Sequence, residues 1–204
     1  FGLSYNKAVR IPTFTDLFYT GPVNIGNQNL NPEHSTNYEF NINYSNENYF
    51  NVNTSVFYSQ GKDLIDWARL YDTLPWQSLN LTSLDTYGAE LSVYFAPLLF
   101  GKNNKFIKGI WADYGFITSD KQSGEWISYY VMDYLKHKAV LRIEHKVVKN
   151  LSLLWILNYQ DRNGSYTDFL TNNEKDYKPF CTVSSRVKYS YKLFDFYCDI
   201  NNIT

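Results

Sequence analysis

The sequence predicts an all-β fold, a transmembrane antiparallel up-and-down β-barrel, and three observations support this prediction. Apolar and polar side chains alternate with period two over long segments, which gives each strand one apolar and one polar face. The alternating segments run to roughly ten residues or more, whereas strands of soluble proteins are nearer five or six. Short and long connections alternate between them, as in outer-membrane barrels.

Composition agrees with strands and excludes several other classes. The 204 residues include 19 Tyr, 14 Phe and 5 Trp, and aromatic side chains pack well on a pleated surface. The net charge is −1, without the basic excess of a nucleic-acid binder, so we expect no nucleic-acid partner. The sequence has no run of eighteen apolar residues, so any crossing of a membrane would be made by strands.

Each strand is placed by its own run of alternation. The clearest run is 37–44, where Tyr38, Phe40, Ile42 and Tyr44 alternate with polar residues. The apolar positions of the other runs are Phe50, Val52, Val56 and Tyr58; Tyr87, Ala89, Leu91, Val93 and Phe95; Leu141 and Ile143; Leu153, Trp155, Leu157 and Tyr159; and Val183, Val187 and Tyr189. Nine strands are predicted, near residues 1–9, 34–45, 49–66, 82–96, 105–118, 134–147, 150–161, 178–190 and 193–202.

The connections between these strands would lie alternately at two rims. Short connections are predicted at 46–48, 97–104, 148–149 and 191–192, and long loops at 10–33, 67–81, 119–133 and 162–177. Proline residues avoid the interiors of the predicted strands, as a hydrogen-bonded sheet requires. A soluble β-sandwich binding module is the alternative, because a polar face would also suit bulk water, but its connections would not alternate in length.

The two ends of the sequence read as strands entered or left midway. Residues 1–5 lack the basic start and apolar core of a signal peptide, and residues 195–204 resemble a strand cut short. We therefore expect a fragment of a longer chain, incomplete at both ends.

Several motifs follow one another between residues 4 and 44. A strand is followed by Arg10-Ile11-Pro12-Thr13-Phe14-Thr15-Asp16-Leu17, then by Gly26-Asn27-Gln28-Asn29-Leu30-Asn31-Pro32-Glu33, and then by Tyr38-Glu39. In this order the motifs closely resemble the conserved barrel segment of TonB-dependent outer-membrane receptors. Further matches at 63–65, 86–91 and 199–202 extend the resemblance over nearly the whole chain, which is most similar to the compact vitamin B12 (cobalamin) receptors.

The resemblance implies a function and a set of partners. Receptors of this family are 22-stranded barrels occluded by an N-terminal plug. Residues 1–204 would be about nine strands of such a barrel, without the plug, the early strands and the last strand. The receptor would lie in the outer membrane and import a bulky, scarce nutrient, expected to be a corrinoid, using energy from the TonB complex. A siderophore, haem or an oligosaccharide is the alternative ligand, and a surface lipoprotein is a further possible partner beside outer-membrane lipid.

The resemblance also suggests roles for individual residues. The family-motif residues are expected to be structural, tying down a long loop and the strand after it: Arg10, Pro12, Asp16, Leu17, Gly26, Asn27, Leu30, Pro32, Glu33, Tyr38 and Glu39. Charges on the polar face would face the lumen and the plug, and would pair with each other or with the plug: Glu39, Glu90, Arg142, Glu144, Arg186 and Lys188.

Aromatic residues of the predicted long loops are the candidate ligand-binding residues, because rings offer a large contact area at small entropic cost. They are Trp67, Tyr71, Trp76, Trp126, Tyr129, Tyr130, Tyr166 and Phe169, and mutual packing that closes the loops is an equal alternative. No catalytic motif, metal-ligand spacing or cofactor motif is found, so neither an enzyme nor a cofactor is expected. A non-transporting barrel, such as an adhesin or an outer-membrane enzyme, remains the second hypothesis.

Overall fold

The chain folds into one antiparallel sheet in which nine long strands are neighbours in sequence order. The computed structural model describes residues 1–46, 48–122, 124–129 and 134–203. The long strands are β1 (Gly2–Arg10), β3 (Glu33–Asn46), β4 (Phe50–Arg69), β5 (Trp76–Phe95), β6 (Ile107–Gln122), β8 (Leu135–Val148), β9 (Leu151–Arg162), β12 (Phe180–Tyr191) and β13 (Phe194–Ile200). The predicted fold class is confirmed.

The remaining elements are short and lie in the connections. They are helix α1 (Phe14–Phe18), β2 (Asn24–Ile25), a 3-10 turn (Pro97–Phe100), β7 (Ile127–Ser128), β10 (Ser165–Thr167) and β11 (Glu174–Asp176). Strands β2 and β7 pair with β5 and β4 respectively, while β10 and β11 form a separate hairpin. None of the described helices is long and apolar enough to cross a membrane.

The connections alternate between two ends of the sheet, as predicted. We call the end that carries residues 48–49, 96–106, 149–150 and 192–193 the turn end, and the opposite end the long-loop end. The two tightest turns join β8 to β9 and β12 to β13, and each has one residue at positive φ, Asn150 and Lys192. Two-residue hairpin loops favour such a conformation because it matches the twist of the strands.

The register places apolar residues of neighbouring strands opposite one another. One row runs Val93, Ala112, Leu141, Leu157 and Val183 across β5, β6, β8, β9 and β12. The intervening positions carry polar residues such as Ser92, Asp113, Asn158 and Thr182, with a few apolar exceptions such as Val140 and Ile156. The sheet therefore has one continuous apolar face and one polar face, which is the arrangement of a barrel wall between lipid and a wet lumen.

Aromatic rings border the apolar face towards both ends. Tyr38 lies 5.1 Å from Tyr5 and 6.2 Å from Tyr58 between ring centroids, and Tyr58 lies 4.9 Å from Tyr87. Towards the turn end, Phe50 packs on Tyr44 and pairs with Phe95. Tyr87 and Phe95 are separated by about 27 Å along β5, or about 19 Å in height at a tilt of about 45°. These rows resemble the two aromatic girdles of outer-membrane barrels.

One predicted boundary is wrong. Residues 67–81 were expected to form a long loop, but β4 continues to Arg69 and β5 begins at Trp76, so the connection spans only 70–75. Residues 65–68 are all buried, which means that both faces of the strand are covered there. A strand covered on both faces does not alternate, so the pattern lost its signal where the strand left the sheet.

Candidate functional site

The long-loop end is built around an extension of the β4–β5 hairpin, residues 63–82, which we call the outer ribbon. Strand β3 pairs with β4 only as far as Lys62, and β6 pairs with β5 only from Ser83. Register shifts at 61–65 and a positive φ at Asp63 mark a bulge at its base. Bulges increase the local twist, and two-stranded ribbons twist more than wide sheets.

Two neighbouring loops each supply a short strand to one edge of the outer ribbon. Strand β2, from the loop between β1 and β3, pairs in parallel with β5 through Asn24 and Trp76. Strand β7, from the loop between β6 and β8, pairs with β4 through Ser128 and Ala68. The loop beside β4 thus pairs with β5, and the loop beside β5 pairs with β4. We attribute this exchange to the twist of the ribbon, which turns each of its edges towards the loop on the other side. The pairing satisfies backbone groups that would otherwise be an open sheet edge.

A buried ion pair fastens the third long loop to the outer ribbon. Lys121 Nζ lies 2.9 Å from Asp66 Oδ2, and Ser128 Oγ donates a hydrogen bond of 2.5 Å to the same oxygen. The Asp66 side chain is almost fully buried beside Ile65 and Trp67. The pair joins β4, β6 and β7, so it holds three elements of the long-loop end in one arrangement.

The family-motif charges fasten the first long loop at its two ends. Arg10 donates from Nε to Glu33 Oε2 at 2.5 Å and from a terminal nitrogen to Oε1 at 2.6 Å. Its other terminal nitrogen lies 3.5 Å from Asp16 Oδ2. Glu33 Oε1 also accepts a hydrogen bond of 2.7 Å from the backbone nitrogen of Ile65. The bidentate pair closes the loop against the base of the outer ribbon.

Glu33 is held in its charged form. Burial by itself would raise the pKa of the carboxyl, but hydrogen bonds from Arg10 and from the Ile65 amide, together with the charge of Arg10, outweigh burial and lower the pKa below its ordinary value. The structural role expected for Arg10 and Glu33 agrees with this geometry.

Inside the first loop, helix α1 is capped by a reciprocal pair. Thr13 Oγ1 accepts from the backbone nitrogen of Asp16 at 3.2 Å, and Asp16 Oδ2 accepts from the backbone nitrogen of Thr13 at 2.9 Å. Gly26 packs on this helix so closely that a Cβ would lie 3.0 Å from the Asp16 and Leu17 backbone atoms. The backbone nitrogen of Asn27 donates a hydrogen bond to the backbone oxygen of Asp16. Pro12, Leu30 and Pro32 lie in the loop on either side of these contacts.

The predicted aromatic residues do not form one loop cluster. Trp67 is only 8% exposed within β4, and its ring meets Tyr19 edge-on, so its expected place on an exposed loop is wrong. Trp76 begins β5, where Tyr129 lies 5.1 Å away edge-on and the Arg69 guanidinium lies 4.3 Å from the ring. Tyr71 is 68% exposed at the tip of the outer ribbon.

The other predicted aromatics lie elsewhere. Tyr166 is in β10 and packs on Tyr177, while Phe169 is fully exposed between β10 and β11. Trp126 is half-buried beside β7, and Tyr130 lies outside the described residues. The structure therefore brings Trp76 and Tyr129 into contact, while Tyr71 lies in the connection between β4 and β5 and Tyr166 lies in the separate β10–β11 sheet.

The predicted lumen charges share the polar face of the sheet, and four of them form ion pairs there. The pairs are Arg142–Asp113 at 2.8 Å, Glu144–Lys108 at 2.9 Å, Arg186–Asp199 at 2.6 Å and Lys188–Asp195 at 2.8 Å. Glu39 and Glu90 line a groove of about 330 Å³ with Asn41, Asn53 and Ser55, and make no ion pair within the described part of the chain. These two carboxylates lie on the β3–β5 side of the polar face, and Glu90 also lines a second groove with Lys138 and Arg142.

Several structural residues were not found from the sequence. Asn80 accepts from the Asn31 backbone nitrogen at 2.8 Å and donates to the backbone oxygens of Asn31 and Asp63. No pattern distinguishes this asparagine from the many others. Asp66 did carry a signal, since it is a lone acid between Ile65 and Trp67. Residues 1–46, 48–122, 124–129 and 134–203 contain no group of three His, Cys, Asp or Glu side chains able to hold a metal ion.

The fold and the two-faced sheet define a class of protein, the wall of a wide antiparallel β-barrel of the outer-membrane type. A family model described as TonB dependent receptor-like, beta-barrel, matches residues 1–203. The chain belongs to this family, which is one of receptors and transporters rather than enzymes and which indicates an outer-membrane barrel.

Solved structures of this type share the fold at low sequence identity. The copper transporter OprC has a TM-score of 0.70 and 14% identity, and the match covers 98% of this chain and 30% of that one. The ferric-catecholate import receptor Fiu from E. coli K12 has a TM-score of 0.64 and 12% identity, covering 98% and 28%. The FrpB iron transporter from Neisseria meningitidis has a TM-score of 0.57 and 15% identity, covering 86% and 27%.

The chain therefore spans less than a third of the length of each of these three proteins. Comparison with curated proteins finds no match.

Proposed function

We propose that residues 1–204 form the C-terminal part of the barrel of a TonB-energised outer-membrane receptor that imports a bulky, scarce nutrient. The family membership and the shared fold support a receptor of this kind. In this proposal the apolar face contacts lipid, the polar face surrounds a plug formed by another part of the receptor, and the long-loop end faces the exterior. The chain catalyses no bond chemistry, and its contribution is a closed hydrogen-bonded wall.

The ligand in this proposal is a bulky small molecule that contains a metal. The sequence resemblance favoured a corrinoid, which the comparisons do not support, because the three similar structures are named as transporters of copper, ferric catecholates and iron. A ferric siderophore is therefore the alternative that deserves equal testing. Both ligands are large and carry flat or ring-shaped surfaces, which exposed aromatic rings can contact.

One observation carries the assignment of the long-loop end to ligand capture. Exposed rings there stand on a scaffold that is tied down from both sides. The exposed rings of Tyr71 and Tyr129 lie at or beside the tip of the outer ribbon, and Tyr129 packs edge-on against the half-buried Trp76, while the Arg10–Glu33 pair and the Asp66–Lys121 pair fix its base. A pre-organised surface loses little conformational freedom on binding, which favours high affinity for a scarce ligand.

Two carboxylates of the polar face support its assignment to the plug. Glu39 and Glu90 line one groove with amide and hydroxyl side chains, whereas the other lumen charges are paired within the wall. A carboxylate enclosed beneath a plug is favourable only when a donor or a cation reaches it. The plug is therefore expected to present basic or amide groups to this side of the lumen.

A binding assay on the whole receptor tests the proposal. Purified receptor in detergent would be titrated with cobalamin and, separately, with iron-loaded siderophores, and tight binding of one of them is expected. The Tyr71→Ala/Tyr129→Ala double variant should bind that ligand at least tenfold more weakly, because a buried ring contact typically contributes about 1–2 kcal/mol.

The matched control is Phe194→Ala, which removes an exposed ring at the opposite, turn end of the sheet. It should leave the affinity unchanged. Equal affinity of the double variant and the wild type would show that the outer ribbon does not contact the ligand. Failure of both ligand classes to bind would contradict the choice of ligand.

A further inference from the structure

The two ends of the sheet carry opposite charge. The turn-end segments that follow β5, residues 97–108, 144–149 and 188–195, contain two acids and seven lysines: Lys102, Lys105, Lys108, Lys146, Lys149, Lys188 and Lys192. Segments 10–33, 61–85, 119–135 and 161–178 at the long-loop end contain seven basic and thirteen acidic residues. A near-neutral chain therefore has an excess of positive charge at its turn end.

Four of these lysines line one groove of about 510 Å³, which we call the basic groove: Lys105, Lys108, Lys146 and Lys149. Lys108 is paired with Glu144 at 2.9 Å. Within the described part of the chain, no ion pair reaches Lys105, Lys146 or Lys149. A cleft lined by charges of one sign concentrates groups of the opposite sign, so the basic groove favours an anionic occupant.

The basic groove opens towards the polar face of the sheet. Lys108 and Glu144 pair across this face, and Lys146 lies two residues beyond Glu144 on the same side of β8. Lys105 and Lys149 are exposed in the turns at the rim. The groove therefore runs from the rim of the turn end into the space that the polar face surrounds, and its occupant reaches both.

The two walls of the basic groove are held in a fixed arrangement. Asn104 donates to the backbone oxygens of Pro97 and Ile107 at 3.1 and 2.8 Å. Its Oδ1 accepts from the backbone nitrogens of Phe106 and Ile107 at 3.0 and 3.1 Å. The backbone nitrogen of Lys146 donates to the backbone oxygen of Phe106 at 2.7 Å, which ties β8 to this loop. Because the backbone that carries the lysines is already ordered, an occupant pays little for ordering it.

The spacing of the ammonium groups favours a chain of carboxylates over one small anion. Lys105 and Lys108 belong to one wall and Lys146 and Lys149 to the other, and the two lysines of each wall are three positions apart. Three residues span up to about 10 Å of backbone. A single small anion would be contacted by all four lysines only if their side chains converged against their mutual repulsion. Carboxylates repeated along an extended peptide can pair with them without such convergence.

We infer that the basic groove docks an acidic segment of the plug where that segment passes the turn-end rim of the lumen. Asp or Glu carboxylates of the segment pair with Lys105, Lys146 and Lys149. The inference rests on the proposed function, from which it takes the plug, and it names the chemistry of the plug at this end. The segment is acidic here, whereas basic or amide groups are expected beside Glu39 and Glu90.

Zero-length cross-linking of the whole purified receptor tests the inference. A water-soluble carbodiimide joins a lysine to a carboxylate only when the two are in contact, and mass spectrometry of the digest identifies both residues. Cross-links are expected from Lys105, Lys146 or Lys149 to an Asp or Glu of the receptor outside residues 1–204. The Lys188–Asp195 pair, at 2.8 Å, is the internal control and should couple in the same sample.

A charge series measures what the contact contributes to holding the plug segment. In the Lys105→Gln/Lys149→Gln variant, hydrogen exchange of the cross-linked segment should be about tenfold faster, because two ion pairs are lost. The Lys105→Arg/Lys149→Arg variant keeps both charges and should exchange as the wild type does. The matched control, Lys62→Gln/Lys178→Gln, removes two exposed lysines of the long-loop end and should leave the exchange of the segment unchanged.

Folding of each variant is checked by the heat-dependent gel mobility of the barrel. If the Gln variant does not fold, cross-linking of the wild type decides alone. Absence of any cross-link from the basic groove to residues outside 1–204, in a sample where Lys188 couples to Asp195, would overturn the inference. Equal exchange in a folded Gln variant and the wild type would overturn it too, as would cross-links in intact cells that reach a different molecule instead of the plug.

The outcome is independent of the ligand-binding assay. A receptor that forms the cross-link but binds neither cobalamin nor a siderophore would refute the choice of ligand and leave the docking of the plug in place. A receptor that binds one of these ligands without forming the cross-link would refute the docking alone.

Discussion

Glu33 is a carboxylate at the end of the first long loop that accepts three hydrogen bonds. Its two oxygens accept from two nitrogens of Arg10 and from the amide of Ile65, which belongs to the outer ribbon. One carboxylate thus connects the end of β1, the start of β3 and the base of the β4–β5 extension. Glu33 therefore fixes the position of the loop between β1 and β3.

Replacing Glu33 with Gln should loosen the first loop. The variant keeps the size of the side chain but loses the charge-assisted pair, so local opening of residues 11–32 should become easier by about 1–2 kcal/mol at neutral pH. The effect depends on pH with a definite sign. Because the folded pKa of Glu33 is lowered, its contribution is complete above the ordinary value of 4.5 and is lost as the pH falls through the lower folded value.

Hydrogen exchange of residues 11–32, measured on variant and wild type at the same pH, checks this expectation. The ratio of the two rates cancels the intrinsic pH dependence of exchange. It should be large at pH 7 and approach one at acidic pH. A Glu125→Gln variant, at an exposed acid of a different loop, serves as the control. A ratio of one at pH 7 would show that Glu33 does not hold the loop.

Sequence reasoning identified the motif residues at this scale but not all of their contacts. The Arg10, Asp16 and Glu33 cluster was expected to tie down a loop, and the bidentate pair does so. The contact from Glu33 to Ile65 joins residues 32 positions apart, in a segment whose course depends on the twist of the outer ribbon. No local sequence pattern predicts a contact between residues so far apart in the chain.

At the scale of elements, the outer ribbon is the feature that organises the long-loop end. It carries the exposed rings at its tip, and it accepts one short strand from each neighbouring loop. Loops that share a sheet edge are restrained together, so displacement of the ribbon would displace both. This arrangement couples three connections that the sequence presents as independent.

Two aspartates of the outer ribbon differ sharply in burial and provide a matched pair of variants. Asp66→Ala leaves the buried ammonium of Lys121 without its carboxylate and should destabilise the ribbon by about 3 kcal/mol. Asp72→Ala removes an ion pair to Arg69 in which the Asp72 side chain is 81% exposed, and its cost should be below about 1 kcal/mol. Hydrogen exchange of residues 63–82 measures both. Equal effects would contradict the anchoring role of the Asp66–Lys121 pair.

The alternation of polar and apolar residues predicted the strands that have one apolar and one polar face. It failed for the segment of β4 in which both faces are buried. Residues 37–44 alternate without interruption and form β3, as expected. Residues 65–68 are buried in succession, with Tyr19 of the first loop packed on Trp67, and residues 67 and 68 were expected to belong to a loop. Tertiary coverage of the ribbon, which comes from segments distant in sequence, removed the periodic signal.

At the scale of the whole molecule, three properties are distributed unevenly over the sheet. Apolar side chains lie on one face and polar side chains on the other, aromatic rows lie towards both ends, and net charge changes sign from the long-loop end to the turn end. The division into an apolar and a polar face was predicted from the sequence. The third emerged only when the topology had assigned each charged segment to an end. The ligand did not follow from the sequence, because the chain spans less than a third of the length of the similar copper transporter OprC.

The central claim, that the apolar face of this sheet meets lipid, is tested most directly by accessibility along β5. Single cysteines would be placed at each position from Ala89 to Tyr94 of the whole receptor, after Cys181 and Cys198 are replaced by Ser. Gly88 is left unchanged because a side chain there would collide with the Phe57 ring. Spin labels at these positions, in native outer membrane, would report collisions with oxygen, which concentrates in lipid, and with a water-soluble nickel chelate.

The expected result alternates with the register. Labels at 89, 91 and 93 should collide with oxygen, and labels at 90, 92 and 94 should be shielded from lipid. Similar collision with the nickel chelate at all six positions would place both faces in water and contradict the barrel.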